Sequence, residues 1–254
     1  MRRLRCAVML TGLLVLTAPL VGCADDDPGR GKDADAGASP GASESPGASA
    51  GPSRNPDPVV LVHGLGGSPA DWETFRRWFV RDGYEEKRIA AVDLTAGRPN
   101  DENARVIART VRKLLADTGA AKADLVAFSM GNLSARHYLK KLDGTAHVRE
   151  FAGIAGPNQG MDTPLTGDCG PRTDTDACQM GEDSVFLRAL NAGDETPGPV
   201  RYATWRSDAD DIVPADSTPL QGAANHTVPQ ALGHVELIGD RHVYRAVRDF
   251  LRGG

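Results

Sequence analysis

A single serine stands between a strand-like run and a helix-like stretch in "LVAFSMGNLSARHYL", residues 125–139. A serine hydroxyl is a weak nucleophile, and it attacks a carbonyl only when an adjacent base, itself oriented by an acid, activates it. It must also project from a tight strand–turn–helix bend, which requires small residues two positions before and after it. Ala127 and Gly131 meet this requirement around Ser129, although the usual G-x-S-x-G motif has glycine at the first place. The segment predicts Ser129 as a nucleophile, and the alternative is a helix N-cap.

The candidate general base is His234. In hydrolases built on this bend, the three catalytic residues follow one another along the chain as serine, acid and histidine. Of the six histidines, His234 is the one at the carboxyl end of a predicted strand, after a glycine and downstream of Ser129 and of an acidic turn. We therefore predict that His234 accepts the proton of the Ser129 hydroxyl.

The acidic turn "SDADDIVP" contains three candidates for the orienting acid, namely Asp208, Asp210 and Asp211. Asp210 is favoured because Ile212 and Val213 can pack behind it, and Asp211 is the runner-up. The same turn does not fit a calcium loop, since it lacks the glycine at the sixth position and the closing glutamate. No metal is expected.

The glycine-rich turn "HGLGG", residues 63–67, follows the first strand-like run. Backbone N–H groups in such a turn can stabilise a developing oxyanion, and we expect the donors to be the N–H groups of Leu65 and Met130. A phosphate-binding loop is the rival interpretation, but neither G-K-[ST] nor G-x-G-x-x-G is present. The sequence implies no cofactor.

Short apolar runs alternate with helix-like stretches from Pro58 onward. The strand-like runs are "PVVLVHG", "RIAAVDL", "ADLVAFS", "VREFAGIAG", "VRYATWRSDADD" and "HTVPQALGH", the last weakened by Pro229. This alternation predicts an α/β fold with about six mostly parallel strands flanked by helices. Because the carboxyl ends of parallel strands meet at one edge of the sheet, we expect Ser129, Asp210 and His234 to converge there.

The helix-like stretches carry their own start and stop signals. "SPADWETFRRWFVRDG" has Ser68 or Asp71 available as a cap, and "NDENARVIARTVRKLLADTG" is amphipathic, with acids in its first turn and glycine after its end. Three further helices are predicted in "MGNLSARHYLKKLDG", "DSVFLRALN" and "DRHVYRAVRDFLRG".

The amino terminus, "MRRLRCAVMLTGLLVLTAPLVGC", has arginines, an apolar run and small residues, which is typical of an export signal. Its end, Leu20-Val21-Gly22-Cys23, resembles the lipobox of bacterial lipoproteins. That resemblance implies that residues 1–22 are a lipoprotein signal peptide, that Cys23 is lipidated, and that the exported chain is anchored to the cell membrane. The alternatives are an ordinary secreted protein and an uncleaved N-terminal anchor.

Residues 23–57 are rich in glycine, alanine, serine, proline and aspartate, and they contain no aromatic side chain. Such a segment cannot bury enough apolar surface to offset the entropy lost on ordering, so we expect a disordered tether. The folded domain is then residues 58–254.

Cys169 and Cys178 remain as an even pair in the folded domain. In an exported chain such a pair most often forms a disulfide, which is the prediction. Free thiols and a metal site are the alternatives, and no third or fourth ligand is visible.

The charge balance excludes one class of partner. A net charge of −5 and a pI near 5.7 leave no basic footprint for nucleic acid. No oligomer signal is present in the sequence, and a monomer is expected.

With these residues in view, the chain resembles the α/β-hydrolases, and more narrowly the small bacterial secreted lipases of the class 2 triacylglycerol lipase group. The matching pieces are "VLVHGLGG", "LVAFSMGN", "SDADDIVP" and "LGHVEL", and the resemblance covers essentially residues 58–252. In that family alanine replaces the first glycine of the bend, as Ala127 does here. The chain departs from the family in Asn132, where a second glycine is usual, and in its long cysteine loop, residues 156–183.

The resemblance implies a serine carboxylic-ester hydrolase, a lipase or esterase, that acts on a lipid or small ester through an acyl-enzyme. It places the acid at Asp210 and the base at His234. Two alternatives stay open at this point. One is a cell-envelope acyltransferase or thioesterase that uses the same site, and the other is a binding protein without activity, since fold does not determine function.

Overall fold

The computed structural model describes residues 56–162, 169–170 and 173–253. The predicted signal peptide, Cys23 and nearly all of the predicted tether lie outside these residues. In the part of the chain that is described, no helix is both long and apolar enough to cross a membrane.

Six parallel strands form one sheet in the order β2-β1-β3-β4-β5-β6, which confirms the predicted α/β fold. The strands are β1 Val59–Val62, β2 Ile89–Val92, β3 Ala123–Phe128, β4 Val148–Ile154, β5 Arg201–Arg206 and β6 Ala224–Thr227. The chain leaves β1 toward one edge of the sheet and leaves β3 toward the other. A crevice therefore opens at the carboxyl ends of β1 and β3, where α/β proteins commonly bind ligands.

The sixth strand is shorter than the sequence suggested and begins earlier. The predicted run was residues 226–234, whereas β6 spans Ala224–Thr227. Val228 still donates its N–H to the Arg206 carbonyl at 2.8 Å, and Pro229 follows directly after it. His234 is consequently reached through a loop that follows the strand.

The α-helices are α1 Glu73–Arg81, α2 Asn100–Thr118, α3 Gly131–Lys141, α4 Gly144–His147, α5 Val185–Asn191 and α6 Arg241–Leu251. All except the single-turn α4 were predicted. Both candidate caps before α1 are used, because Ser68 and Asp71 form a capping box on the 3-10 turn Pro69–Trp72. Gly119 ends α2 in the left-handed conformation, at φ 66°.

The central strands of the sheet are buried on both faces, and β1 shows how. Val60 and Val62 belong to the core that includes side chains of α2, α3 and α5, whereas Val59 and Leu61 belong to the core with α1 and α6. Strands covered on both faces are apolar throughout rather than alternating, which explains the continuous apolar runs in the sequence.

The cysteine loop between β4 and α5 packs against the start of α2. Cys169 and Cys178 are bonded in the structure, with Cα atoms 5.4 Å apart. Pro99, at the N-cap of α2, makes no capping bond through its side chain. Instead, the Gln179 side-chain oxygen accepts the N–H of Asn100 at 2.6 Å, so the loop beside the disulfide caps the helix.

Candidate active site

Ser129 occupies the bend between β3 and α3. Its φ is 54°, a left-handed conformation that is uncommon for a residue other than glycine. Close packing explains the small residues around it: a Cβ on Gly131 would lie 2.4 Å from the His63 carbonyl oxygen, and one on Gly64 would lie 2.8 Å from the Ser129 Cβ. The side chain of Ser129 does not cap α3, since the N-cap residue is Met130.

The three residues predicted to form a catalytic triad lie in contact. His234 Nε2 is 2.9 Å from Ser129 Oγ, and His234 Nδ1 is 2.8 Å from Asp210 Oδ2. The side chains of His234 and Asp210 are nearly inaccessible to solvent, at 5% and 3% exposure. A buried hydrogen-bonded chain from carboxylate through imidazole to hydroxyl can raise the nucleophilicity of the serine.

The three aspartates that are candidates for the orienting acid make different contacts in the structure. Asp210 Oδ1 accepts the N–H groups of Ile212 and Val213 at 2.9 and 2.8 Å, so the carboxylate that faces His234 is held by the backbone behind it. Asp211 Oδ1 instead accepts the backbone N–H of His234 at 2.9 Å, a bond that lowers the pKa of this carboxyl below its ordinary value. Asp208 is exposed and lies 3.6 Å from the Arg206 guanidinium.

The predicted oxyanion donors are the N–H groups of Leu65 and Met130. In the described ranges, neither the Leu65 nor the Met130 N–H donates a hydrogen bond. Gly64, Leu65 and Ser129 line the same cleft. A carbonyl oxygen of a substrate attacked by Ser129 can therefore reach Leu65 in that cleft, whereas Met130 is buried and is not among the residues that line it.

His63 has a structural role that was not predicted from the sequence. Its Nε2 accepts the N–H of Leu94 at 3.0 Å, so Nδ1 must carry the ring hydrogen and donate it to the Gly64 carbonyl at 2.8 Å. The ring thus ties the glycine-rich turn after β1 to the end of β2. The signal in the sequence that could have indicated this role is a histidine at the first position of the glycine-rich turn.

The cleft beside Ser129 has a volume of about 550 Å³, within the usual range for small-molecule sites. Its apolar wall is formed by Leu65, Phe128, Ile212, Val235 and Ile238. Val235 directly follows His234 and is 67% exposed, so an apolar side chain is available to a substrate at the rim. The described residues include no group of three or more His, Cys, Asp or Glu side chains that could hold a metal ion.

The fold and the site together define a class, that of the α/β-hydrolases. The profile of the class 2 lipase family matches residues 56–246, and the chain therefore belongs to this family of carboxylic-ester hydrolases.

Solved structures agree on the fold. The mature lipase BlEst2 of Bacillus licheniformis superposes with a TM-score of 0.66 at 18% identity, covering 79% of this chain and 94% of that one. Lipase B of Aspergillus fumigatus gives a TM-score of 0.66 at 17% identity, over 79% of this chain and 53% of that one. The metagenomic carboxyl esterase MGS0156 gives 0.58 at 19% identity, over 73% and 66%.

Proposed function

We propose that this protein hydrolyses carboxylic esters of lipids or small molecules through a Ser129–His234–Asp210 triad and an acyl-enzyme. The observation that carries the proposal is the continuous chain of contacts, 2.9 Å from Ser129 Oγ to His234 Nε2 and 2.8 Å from Nδ1 to Asp210. Three separate segments of the sequence supply these groups. Packing of the hydrophobic core does not by itself require the three groups to meet in a cleft.

In the first half-reaction, His234 Nε2 takes the Ser129 proton while Oγ attacks the ester carbonyl carbon. The carbonyl oxygen gains negative charge, which the N–H groups of Leu65 and Met130 stabilise. When the carbon–oxygen bond to the alcohol breaks, His234 returns the proton to the leaving alkoxide. The alcohol departs, and the acyl group remains on Ser129.

In the second half-reaction, water replaces the alcohol. His234 removes a proton from the water, the hydroxide attacks the acyl carbon, and the bond to Ser129 Oγ breaks as His234 returns the proton. Asp210 holds the ring so that Nδ1 carries hydrogen, and it stabilises the imidazolium in both steps. Because Ile212 and Val213 hold Asp210 in turn, little reorganisation is required.

The location of this chemistry is part of the proposal. We propose that the chain is exported, that the mature protein begins at a lipidated Cys23, and that residues 23–57 tether a monomeric hydrolase domain to the membrane. The lipobox-like sequence supports this placement. The disulfide between Cys169 and Cys178 supports export as well, since disulfides persist in oxidising compartments.

The test is turnover of a p-nitrophenyl ester series, from short to long acyl chains, by the full chain and by its Ser129→Ala variant. We expect hydrolysis by the wild type and loss of at least about 10³-fold in the variant. Activity that rises with chain length assigns a lipase, and activity confined to short chains assigns an esterase. Turnover by the variant at the wild-type rate contradicts the proposal. Product appearing only when an alcohol acceptor is added would assign an acyltransferase instead.

A further inference from the structure

Asn132 lies in the first turn of α3, just beyond the candidate nucleophile, and it is fully buried. Its side-chain amide donates two hydrogen bonds, one to the Ser129 carbonyl at 2.9 Å and one to the Ile154 carbonyl at 3.2 Å. The first carbonyl belongs to the bend after β3, and the second belongs to the last residue of β4. One amide group therefore bridges the ends of two neighbouring strands.

Both strand ends have unusual backbone conformations. Ser129 has a φ of 54°, and Ala155, directly after β4, has a φ of 46°. Residues other than glycine rarely occupy this region, and they persist there only when surrounding contacts hold them. The N–H of Ser129 also donates to the Ile154 carbonyl at 2.9 Å, so that oxygen is shared between the serine backbone and the Asn132 amide. The position of Ser129 is thus coupled to β4 through two bonds.

The chain makes room for this side chain at two glycines. A Cβ on Gly153 would lie 2.3 Å from Asn132 Oδ1, and a Cβ on Gly156 would lie 2.5 Å from its Cγ. The two glycines are therefore matched to Asn132, which stands where the resembling lipases usually have glycine.

Stability alone does not account for an asparagine here. In the described structure, the buried Oδ1 of Asn132 has no hydrogen-bond partner. A buried acceptor without a partner lowers stability, and an apolar residue or glycine would avoid that loss. The two donated bonds, both directed at the nucleophile bend and its neighbour, are the gain.

We propose that Asn132 is a positioning residue that holds Ser129 Oγ at its distance from His234 by fastening the serine bend to the end of β4. The inference rests on the proposed function, in which Ser129 is the nucleophile. Misplacement of a reacting group by about 1 Å can lower a rate 10²-fold, so a single bond at this place can matter to catalysis.

The test compares Asn132→Asp with Asn103→Asp. The first replacement keeps the shape and removes the N–H donors. Asn103 is the matched control, because it is also fully buried and its amide also donates to two carbonyls, those of Thr95 and Arg98, at 3.3 and 3.2 Å. Asn132→Gly is the second variant, since it removes the amide without burying a charge.

The measurements are the second-order rate constant for labelling by a fluorophosphonate, kcat and KM on one p-nitrophenyl ester, and Tm. We expect the Asn132 variants to lose about 10- to 100-fold in labelling rate and kcat, with KM within about twofold of the wild type. Asn103→Asp should lower Tm by about as much as Asn132→Asp does. Its labelling rate should stay within about twofold of the wild-type rate.

The outcomes separate the two proposals. Folded Asn132→Asp or Asn132→Gly protein that is labelled at the wild-type rate contradicts the positioning role alone. An equal loss of labelling in Asn103→Asp also contradicts it, because the effect would then follow stability rather than the serine bend. Wild-type protein that takes up no fluorophosphonate contradicts the proposed function, and the positioning role with it.

Discussion

At the scale of single residues, the adjacent aspartates Asp210 and Asp211 both contact His234 but have different roles. Asp210 faces the imidazole Nδ1, whereas Asp211 faces the backbone N–H of the same residue. Only the first contact can select which ring nitrogen carries hydrogen, and therefore which nitrogen faces Ser129 as a base. The second contact shapes the loop that carries His234.

This difference predicts the outcome of two matched replacements. Asp210→Asn should lower kcat by about 10⁴-fold, because an amide can favour the wrong tautomer of the ring. Asp211→Asn should cost no more than about tenfold, since an amide oxygen still accepts the His234 N–H. Steady-state hydrolysis of a p-nitrophenyl ester measures both, and a larger loss in Asp211→Asn would refute the assignment of the acid.

Some contacts of the candidate site could not be predicted from the sequence. Three neighbouring aspartates in one turn are alike in type and spacing, and only the direction of each side chain distinguishes them. Asn132 departs from the family pattern, which the sequence alone reveals, but its bonds depend on β4 approaching β3 and on two glycines more than twenty residues further along the chain. The contacts of His63 similarly join segments that are distant in sequence.

At the scale of elements, the bend from β3 to α3 allows no side chain at Gly131. A Cβ there would meet the His63 carbonyl oxygen at 2.4 Å, the Val62 carbonyl oxygen at 3.0 Å and the Val62 side chain. Two of these are backbone oxygens, one at the end of β1 and one in the glycine-rich turn, so neither can move without displacing that turn.

Gly131→Ala should therefore destabilise the protein by roughly 1–3 kcal/mol and lower activity, because overpacking forces the backbone to shift. Gly239→Ala is the control, since its Cβ would meet its nearest neighbour at an ordinary 3.5 Å and its φ is −99°. Urea unfolding measures both. Equal free energies of unfolding for the wild type and Gly131→Ala would show that the bend can relax.

Elements were largely predictable because the patterns that define them are local. Apolar runs bounded by glycine marked the buried strands, and α2 ends at Thr118, directly before the predicted Gly119. The end of the sixth strand was missed because β6 is an exposed edge strand, with no apolar pattern to mark its limits. The one-turn α4 was missed because four residues are too few for a helical pattern to repeat.

At the scale of the whole molecule, a charged cluster joins distant parts of the chain at the amino ends of the strands. The Arg149 guanidinium contacts Asp124 at 2.9 Å, Asp57 at 3.0 Å and Glu150 at 3.7 Å, and it also donates to the Leu251 carbonyl. Asp124 is fully buried, and burial raises its pKa to about 7 despite the arginine, which it shares with the other two carboxylates.

This raised pKa predicts how stability responds to pH. Between about pH 4 and pH 7 the folded protein keeps the Asp124 proton that the unfolded chain has lost, so the Asp124 contribution to stability falls as pH rises through that window and levels off above it. Asp124→Asn should remove this dependence. The difference in unfolding free energy between pH 5 and pH 8 should change by roughly 2–4 kcal/mol relative to the wild type.

Urea unfolding of both proteins at the two pH values measures this change. The comparison with Asp124→Asn cancels the contribution of titrating groups that do not share Arg149 with Asp124. Parallel pH dependence in the two proteins would contradict the raised pKa of Asp124.

The most direct test of the whole account is the site and stoichiometry of labelling by a fluorophosphonate, read by intact mass and peptide mapping of the full chain. We predict one adduct per chain on Ser129, absent in Ser129→Ala and at least about 10³-fold slower to form in His234→Ala, because the base is gone. An adduct on another residue, or labelling that does not depend on His234, would contradict the claim that these side chains form a working catalytic site.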